Sequence, residues 1–260
     1  MENSFVSDAV TREISTFLQQ INSVGLLIAT QSNNSDESTS SLQSRLENTV
    51  RVFPAFESLQ ILDRQGIVVA AAPYNSDLIG SNQSNQPYFA QSLEKNSVIW
   101  SNTFISPYSG VPTLAVVFPT SNGVLVGYIR LRMLSYIGNQ TTESGRYKLI
   151  ITNSQGKLLV HPNQDFIRRQ KNIYNHPIVQ KTLSGDTGTF ETEFEGKQVL
   201  CSSSHIGTTN WAVLVLQTKR EAFGLLWDMI LTLIVLIAIS GGLSVLLSYY
   251  SRRQITKPIY

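Results

Sequence analysis

From Met229 to Tyr250 the chain runs for 22 residues without a charged side chain, MILTLIVLIAISGGLSVLLSYY. As a helix at about 1.5 Å per residue this run would reach roughly 33 Å, enough for a bilayer core of about 30 Å. Trp227 stands before it, Tyr249 and Tyr250 end it, and Arg252, Arg253 and Lys257 follow at once. Interfacial aromatics and the positive-inside tendency then predict a transmembrane helix over 225–250, with the C-terminus in the cytoplasm. The remainder would lie outside the cytoplasm, in the cell inner (plasma) membrane's outer compartment. The N-terminal segment, MENSFVSDAVTREISTFLQQ, has no basic stretch followed by an apolar one that could start translocation. The expectation is therefore a piece of a longer protein, cut at both ends. Ser240, Ser244 and Ser248 form one stripe of small residues and Ala238 with Gly242 another. Such stripes suit close helix approach in a dimer, and equally packing against lipid.

Outside this run the chain has the makings of a folded core. Hydrophobic residues are 42% of the 260 and charged residues 15%, which excludes a disordered chain. The net charge of +2 gives no footprint for nucleic acid. One cysteine, Cys201, excludes a disulfide framework and any multi-cysteine metal site, and its strand context makes it a small buried apolar group. Phosphate loops, nucleophile elbows and His-Glu-x-x-His helices are absent from the sequence, and no cofactor or catalytic residue is expected. His161, His176 and His205 lack convergent metal-ligand spacing, and the first two precede proline, as in turns and helix entries. The basic run Arg168–Lys171 reads as a solvated face rather than a headgroup contact. Asn33, Asn82 and Asn139 open formal glycosylation sequons that arise by chance in an Asn- and Ser-rich chain.

Periodicity organises the rest. Val10, Ile14, Phe17, Ile21, Val24 and Ile28 make an apolar seam on a helix over about 5–31, facing either its own core or a partner subunit. A polar loop, Ser32–Ser41, leads to a second helix over about 41–52. Leu59–Ala70 then reads as two strands about a tight turn, Asp63 opening it and Gly66 taking a positive φ. The same device returns ninety positions on, where Asn153 and Gly156 replay Asp63 and Gly66 within Leu149–Val160. A short helix and three strands are expected after each hairpin. The first set is a helix near 87–94 and strands near 99–106, 112–120 and 123–134. The second is a helix near 176–183 and strands near 187–194, 197–205 and 211–218. This is an internal structural repeat of α+β type, divided at a turn-rich linker over 138–146.

In this order the segments resemble the double Cache (dCache) sensor domain of bacterial transmembrane receptors. Asn85–Ala90 (NQPYFA) resembles the helix opening of the family's membrane-distal module, and Gly123–Leu131 its closing strand. Gly156–Pro162 resembles the membrane-proximal hairpin, Ile206–Trp211 the last proximal strand, and Arg253–Ile259 the start of a HAMP linker. The resemblance implies a fold class of α+β with a long N-terminal helix, two tandem PAS-like (Cache) modules with antiparallel sheets, and one transmembrane helix. It implies a helical region over 1–52, a distal module over 53–138, a proximal module over 146–218, a membrane helix over 225–250 and a HAMP start over 251–260. The implied function is extracytoplasmic small-molecule sensing in a dimeric receptor with no activity of its own as an enzyme. A sensor histidine kinase is the preferred parent. A chemotaxis receptor, a diguanylate cyclase, or a ligand-independent membrane-anchored interaction module are the alternatives.

The ligand site expected from this likeness comprises Gln86, Tyr88, Phe89, Trp100, Tyr108, Thr113 and Tyr128, aromatic walls with a few hydroxyls and amides to fix orientation. The sequence departs from the amino-acid-sensing members at two of these. Gln86 stands where they carry an arginine for the ligand carboxylate, and Tyr128 where they carry an aspartate for the ammonium. Gln cannot make the two parallel charge-assisted bonds of arginine, so a neutral or weakly polar ligand is expected.

Overall fold

The fold was analysed on a computed structural model, which describes residues 2–32, 38–141, 147–218, 230–245 and 248. The apolar seam does form one long helix, α1 (Glu2–Gln31), and a second helix, α2 (Thr39–Val52), starts at an N-cap where the Ser38 side chain accepts from the Ser41 N–H. Then come β1 (Phe56–Asp63), β2 (Val68–Ala72), α3 (Pro87–Lys95), β3 (Ile99–Trp100), β4 (Phe104–Ile105), β5 (Pro112–Thr120) and β6 (Gly123–Arg130). After α4 (Leu131–Thr141) the second series is β7 (Lys148–Thr152), β8 (Leu158–Val160), α5 (Gln164–Arg168), α6 (Pro177–Leu183), β9 (Gly188–Phe194), β10 (Lys197–Ile206) and β11 (Trp211–Thr218).

Two antiparallel sheets result. The first is ordered β2-β1-β6-β5-β3 with β4 also on β5, and the second β8-β7-β11-β10-β9. The hairpin device repeats bond for bond. Asp63 Oδ1 accepts from the N–H groups of Gln65 and Ile67, and Asn153 Oδ1 from those of Gln155 and Lys157. An isolated bridge joins Ile67 to Asn82 and another joins Lys157 to Asn172. Gly66 (φ +81°) and Gly156 (φ +76°) also meet matching neighbours, the backbones of Ser84 and Tyr174. The ninety-residue offset therefore continues through the connection to Pro87 and Pro177, where α3 and α6 begin.

The seam on α1 packs on the protein's own core. Val10, Ile14, Phe17, Ile21 and Ile28 are buried with Leu114, Phe118 and Leu125 of the first sheet and with Leu149, Val213 and Val215 of the second. A Cβ on Gly25 would clash with the edge of the Phe118 ring, so α1 approaches the first sheet closely at a bare backbone position. At its other end the Ser7 hydroxyl lies 2.9 Å from that of Ser204 on β10. The outer faces of the sheets are covered separately by α3 and α6.

Three expectations are corrected. The strand expected over 123–134 ends at Arg130, and α4 follows. Leu131 and Leu134, three apart, are buried, and Met133 and Ile137 pack beside them, a helical spacing hidden behind a strand-like start. The linker expected over 138–146 is helical as far as Thr141, and 142–146 lie outside the described residues. The strand expected over 99–106 is two short pieces, β3 and β4. The short α5, capped by the Asn163 side chain, had no counterpart in the expectations. Within the apolar run, residues 230–245 are helical and exposed throughout. Among the described residues no helix is long and apolar enough to cross a membrane. The flanks of that run at 225–229 and 246–250, Ser248 apart, and the HAMP-like end over 251–260, lie outside the described residues.

Alanine at Gly66 or Gly156 would have to adopt a left-handed conformation costing about 1–2 kcal/mol, with a backbone clash added. Gly66→Ala and Gly156→Ala are each expected to destabilise the protein by at least that amount in urea unfolding. A loss below about 0.5 kcal/mol at either position would show that the two turns are not under the same constraint.

Candidate functional site

On β1, Ser58, Gln60 and Leu62 share the face turned away from α1, and Ser58 and Gln60 are fully buried. Ser58 stands opposite Tyr128 of β6, and Ala115 of β5 flanks Tyr128 on its other side. From α3, Tyr88 lays its hydroxyl 3.2 Å from that of Tyr128. The connection between β4 and β5 folds Tyr108 inward. Tyr108 and Phe104 meet the Tyr128 ring edge-to-face at 5.9 and 5.1 Å. Pro87 at the first turn of α3, preceded by Gln86 in an extended N-cap conformation, sets the helix so that Tyr88 and Phe89 point at the sheet.

This aromatic nest encloses polar atoms that lack partners. Gln83 Nε2 donates to Gln60 Oε1 at 2.7 Å, which leaves Gln60 Nε2 and Gln83 Oε1 without hydrogen bonds. Ser58 Oγ, Ser92 Oγ and the Tyr108 hydroxyl are orphaned as well. The Tyr108 hydroxyl faces Ser58 and Gln60 without closing a bond to either. Each buried, unsatisfied group costs about 1–3 kcal/mol, so several together in one place are not a neutral feature of a core. Burial pushes the Tyr108 hydroxyl up to about 12, opposed by the polar groups of Ser58 and Gln60 and helped by Tyr128 and the Glu57 carboxylate. Burial also raises Tyr88 and Tyr128. All three phenols are therefore neutral groups able to donate at physiological pH.

The expected site residues divide into three groups. Tyr88, Phe89, Tyr108 and Tyr128 come together in the nest. Gln86 and Trp100, with the outer side of Tyr88, line a cleft of about 440 Å³ that reaches Ser154 and Gln155 at the β7–β8 turn. Trp100 belongs as much to the junction between the sheets, since it meets Trp211 of β11 edge-to-face at 5.8 Å. Thr113 is committed elsewhere, its hydroxyl donating to the Ile129 carbonyl at 2.7 Å. Ser58, Gln60, Gln83 and Phe104 were missed by sequence reasoning. Polar Ser58 and Gln60, alternating in the otherwise apolar strand FESLQILD, were the available signal. Gln83 lay inside a sequon, and Phe104 within what read as a continuous strand. Among the described residues no group of three or more His, Cys, Asp or Glu could hold a metal ion.

A family model for the Cache domain matches residues 2–226. The chain belongs to the Cache domain family. In fold this Cache domain is similar to an extracellular ligand-binding receptor from Desulfohalobium retbaense DSM5692, at 16% identity and a TM-score of 0.69. That match covers 84% of this chain but 40% of the receptor's length. It is similar to the ligand-binding domain of the amino acid chemoreceptor PctB of Pseudomonas aeruginosa PAO1, solved with L-Gln. There the identity is 17% and the TM-score 0.69, over 86% of this chain and 93% of that one. The extracellular domain of rpHK1S-Z16, described as a histidine kinase, matches at 17% identity and a TM-score of 0.72, over 85% and 95% of the two chains. No curated protein matches.

In the second sheet of this Cache domain, His161 is buried after β8. Its Nδ1 accepts from the Asn163 N–H at 2.9 Å, which puts the neutral ring's proton on Nε2, 3.4 Å from Glu195. Burial lowers the His161 pKa below its ordinary 6.5, outweighing the opposing pull of Glu195.

Two outcomes are expected. Tyr108→Phe removes an orphaned hydroxyl and should be neutral or stabilising by up to about 1 kcal/mol, whereas Tyr88→Phe breaks the pair with Tyr128 and should cost about 1 kcal/mol. Urea midpoints check both, and a loss above about 1 kcal/mol for Tyr108→Phe would show that its hydroxyl is bonded. Second, as pH falls through 6.5 the unfolded chain protonates His161 before the folded one does, so stability is lost below that pH and not above it. His161→Gln should flatten this slope between about pH 7.5 and about pH 5.5, and an unchanged slope would assign it to other groups.

Proposed function

We propose that the chain is the extracytoplasmic small-molecule sensor of a transmembrane receptor, with its ligand held on the first sheet between β1, β6 and α3. The observation that carries this is the set of orphaned polar atoms of Ser58, Gln60, Gln83 and Tyr108 within the aromatic nest. The second sheet provides an internal control. Ninety positions on, Gln60, Tyr88 and Phe89 are replaced by Ile150, Ile178 and Val179, and Leu216 stands where Tyr128 does. The same backbone there holds apolar packing among Ile150, Val179, Leu214 and Leu216. A fold that needs no polar set in one copy has no structural need for it in the other.

The chemistry favours an uncharged ligand with hydrogen-bonding edges and a flat or apolar body. Three neutral phenols and two carboxamides can donate and accept, and aromatic faces can stack. Gln86 supplies no cation for a carboxylate, and Glu57 adds a negative charge near Tyr108 and Tyr128. PctB was solved with L-Gln, and Gln86 and Tyr128 weigh against carrying an amino-acid ligand over to this chain. In this proposal 53–138 is the membrane-distal sensing module, 146–218 the proximal module, and 225–250 the membrane helix leading to a HAMP start over 251–260. The receptor is a homodimer in the plasma membrane. The parent in this proposal is a sensor histidine kinase, with a chemotaxis receptor as the alternative, since the fold is shared with both rpHK1S-Z16 and PctB.

Thermal shifts of the purified chain against uncharged amides and heterocycles, amino acids and carboxylates test the reading. A ligand at about 100 times its dissociation constant should add about 2.7 kcal/mol to the folded state. An uncharged compound should raise the midpoint, and Tyr88→Ala should abolish the effect. A standard amino acid binding at micromolar affinity with loss in Tyr88→Ala would overturn the ligand class. Binding of an uncharged compound unaffected by Tyr88→Ala would move the site.

A further inference from the structure

The second sheet keeps a cleft of its own on the face that corresponds to the one bearing the nest. Lys148 pairs with Leu216 as Ser58 pairs with Tyr128, and Ile150 pairs with Leu214 as Gln60 pairs with Val126. Val199 pairs with Thr218 as Thr113 pairs with Arg130. Lys148, Ile150, Val199, Leu216 and Thr218 line one cavity of about 180 Å³. The cleft therefore opens on the equivalent sheet face, with its remaining wall built by His161, Asn163 and Phe194 rather than by α6.

Its chemistry differs from that of the nest. Ile150, Val199, Leu216 and Phe194 form an apolar floor, all buried. Lys148 and Lys197 stand at the mouth, and among the described residues neither forms an ion pair. The one carboxylate on the lining, Glu195, faces the buried His161 at 3.4 Å. The lining therefore carries two ammonium groups and one carboxylate, a positive balance at its rim. An apolar floor under a rim of positive balance matches a small molecule with a hydrocarbon tail and one negative end. The volume admits only a handful of heavy atoms.

We propose that this cleft is a second ligand site, for a short-chain monocarboxylate whose tail lies on Ile150, Val199 and Leu216 and whose carboxylate meets Lys148 and Lys197. Leu216 and Thr218 belong to the end of β11, so a ligand here touches the last strand before the apolar run. The site is independent of the nest and would report a different class of compound.

Titration of the purified chain with sodium butyrate, followed by calorimetry and by ligand-observed NMR, tests this. Butyrate should bind saturably, and butyramide, which keeps the shape and loses the charge, should bind at least about tenfold more weakly. The double change Lys148→Gln with Lys197→Gln alters only exposed side chains. It should weaken butyrate about tenfold or more without moving the thermal midpoint, and high salt should do the same to the unaltered protein. Tyr88→Ala should leave butyrate binding intact. Absence of saturable binding, equal binding of butyramide, or indifference to the double change would each overturn the proposal. Butyrate binding lost in Tyr88→Ala would assign it to the nest and overturn the proposal as well.

Discussion

One face of α1 turns two sheets into a single core. Val10, Ile14, Phe17, Ile21 and Ile28 are buried in one cluster that also holds Phe118 of the first sheet and Val213 of the second. Burying such side chains contributes about 1.5–3 kcal/mol each, as an upper estimate, so the helix is the largest tie between the two halves. Smaller ties lie alongside it, the Trp100–Trp211 ring contact and the bond from Asn153 to Asn102 across the junction. Neither sheet can turn far against the other without pulling apolar side chains from the shared core. A change in the packing of the first sheet therefore has a rigid element through which to reach the second.

With one face of each sheet committed to α1, the opposite faces are free to differ. Each is covered by a short helix that begins at a proline and by the connection leading into it. Local backbone chemistry fixes that geometry twice over, through Asp63 or Asn153 at the turn and the glycine three positions on. The side chains it presents are not fixed by the same chemistry. One copy holds phenols, carboxamides and a serine, and the other holds aliphatic groups with lysines at the margin. Two faces of one repeated design thus carry different chemistry.

The nest departs from the rule that buried polar groups find partners. Ser58 and Gln60 sit on a central strand, where an apolar residue would be more stabilising. Local departures from the most stable choice tend to collect at functional places, because stability there is given up for something else. The cleft beside Gln86 and Trp100 shares Tyr88 and Phe104 with the nest and reaches Ser154 and Gln155 at the first turn of the second sheet.

Much of this was legible in the sequence because it depends on short-range patterns. The period of the α1 seam, the turn residues at Asp63 and Gly66 with their replay at Asn153 and Gly156, and the Pro87 helix start each act over a few residues. Each formed as expected. Where a strand-like start hid a helical spacing, as at Leu131 and Leu134, local pattern misled. The choice of α1 for its own core, the meeting of Ser58, Gln60, Tyr108 and Tyr128, and the diversion of Trp100 toward Trp211 belong to the tertiary structure alone. These contacts join residues dozens of positions apart. Sheet register and the closing of the β4–β5 connection decide them, and no short window of sequence contains that information.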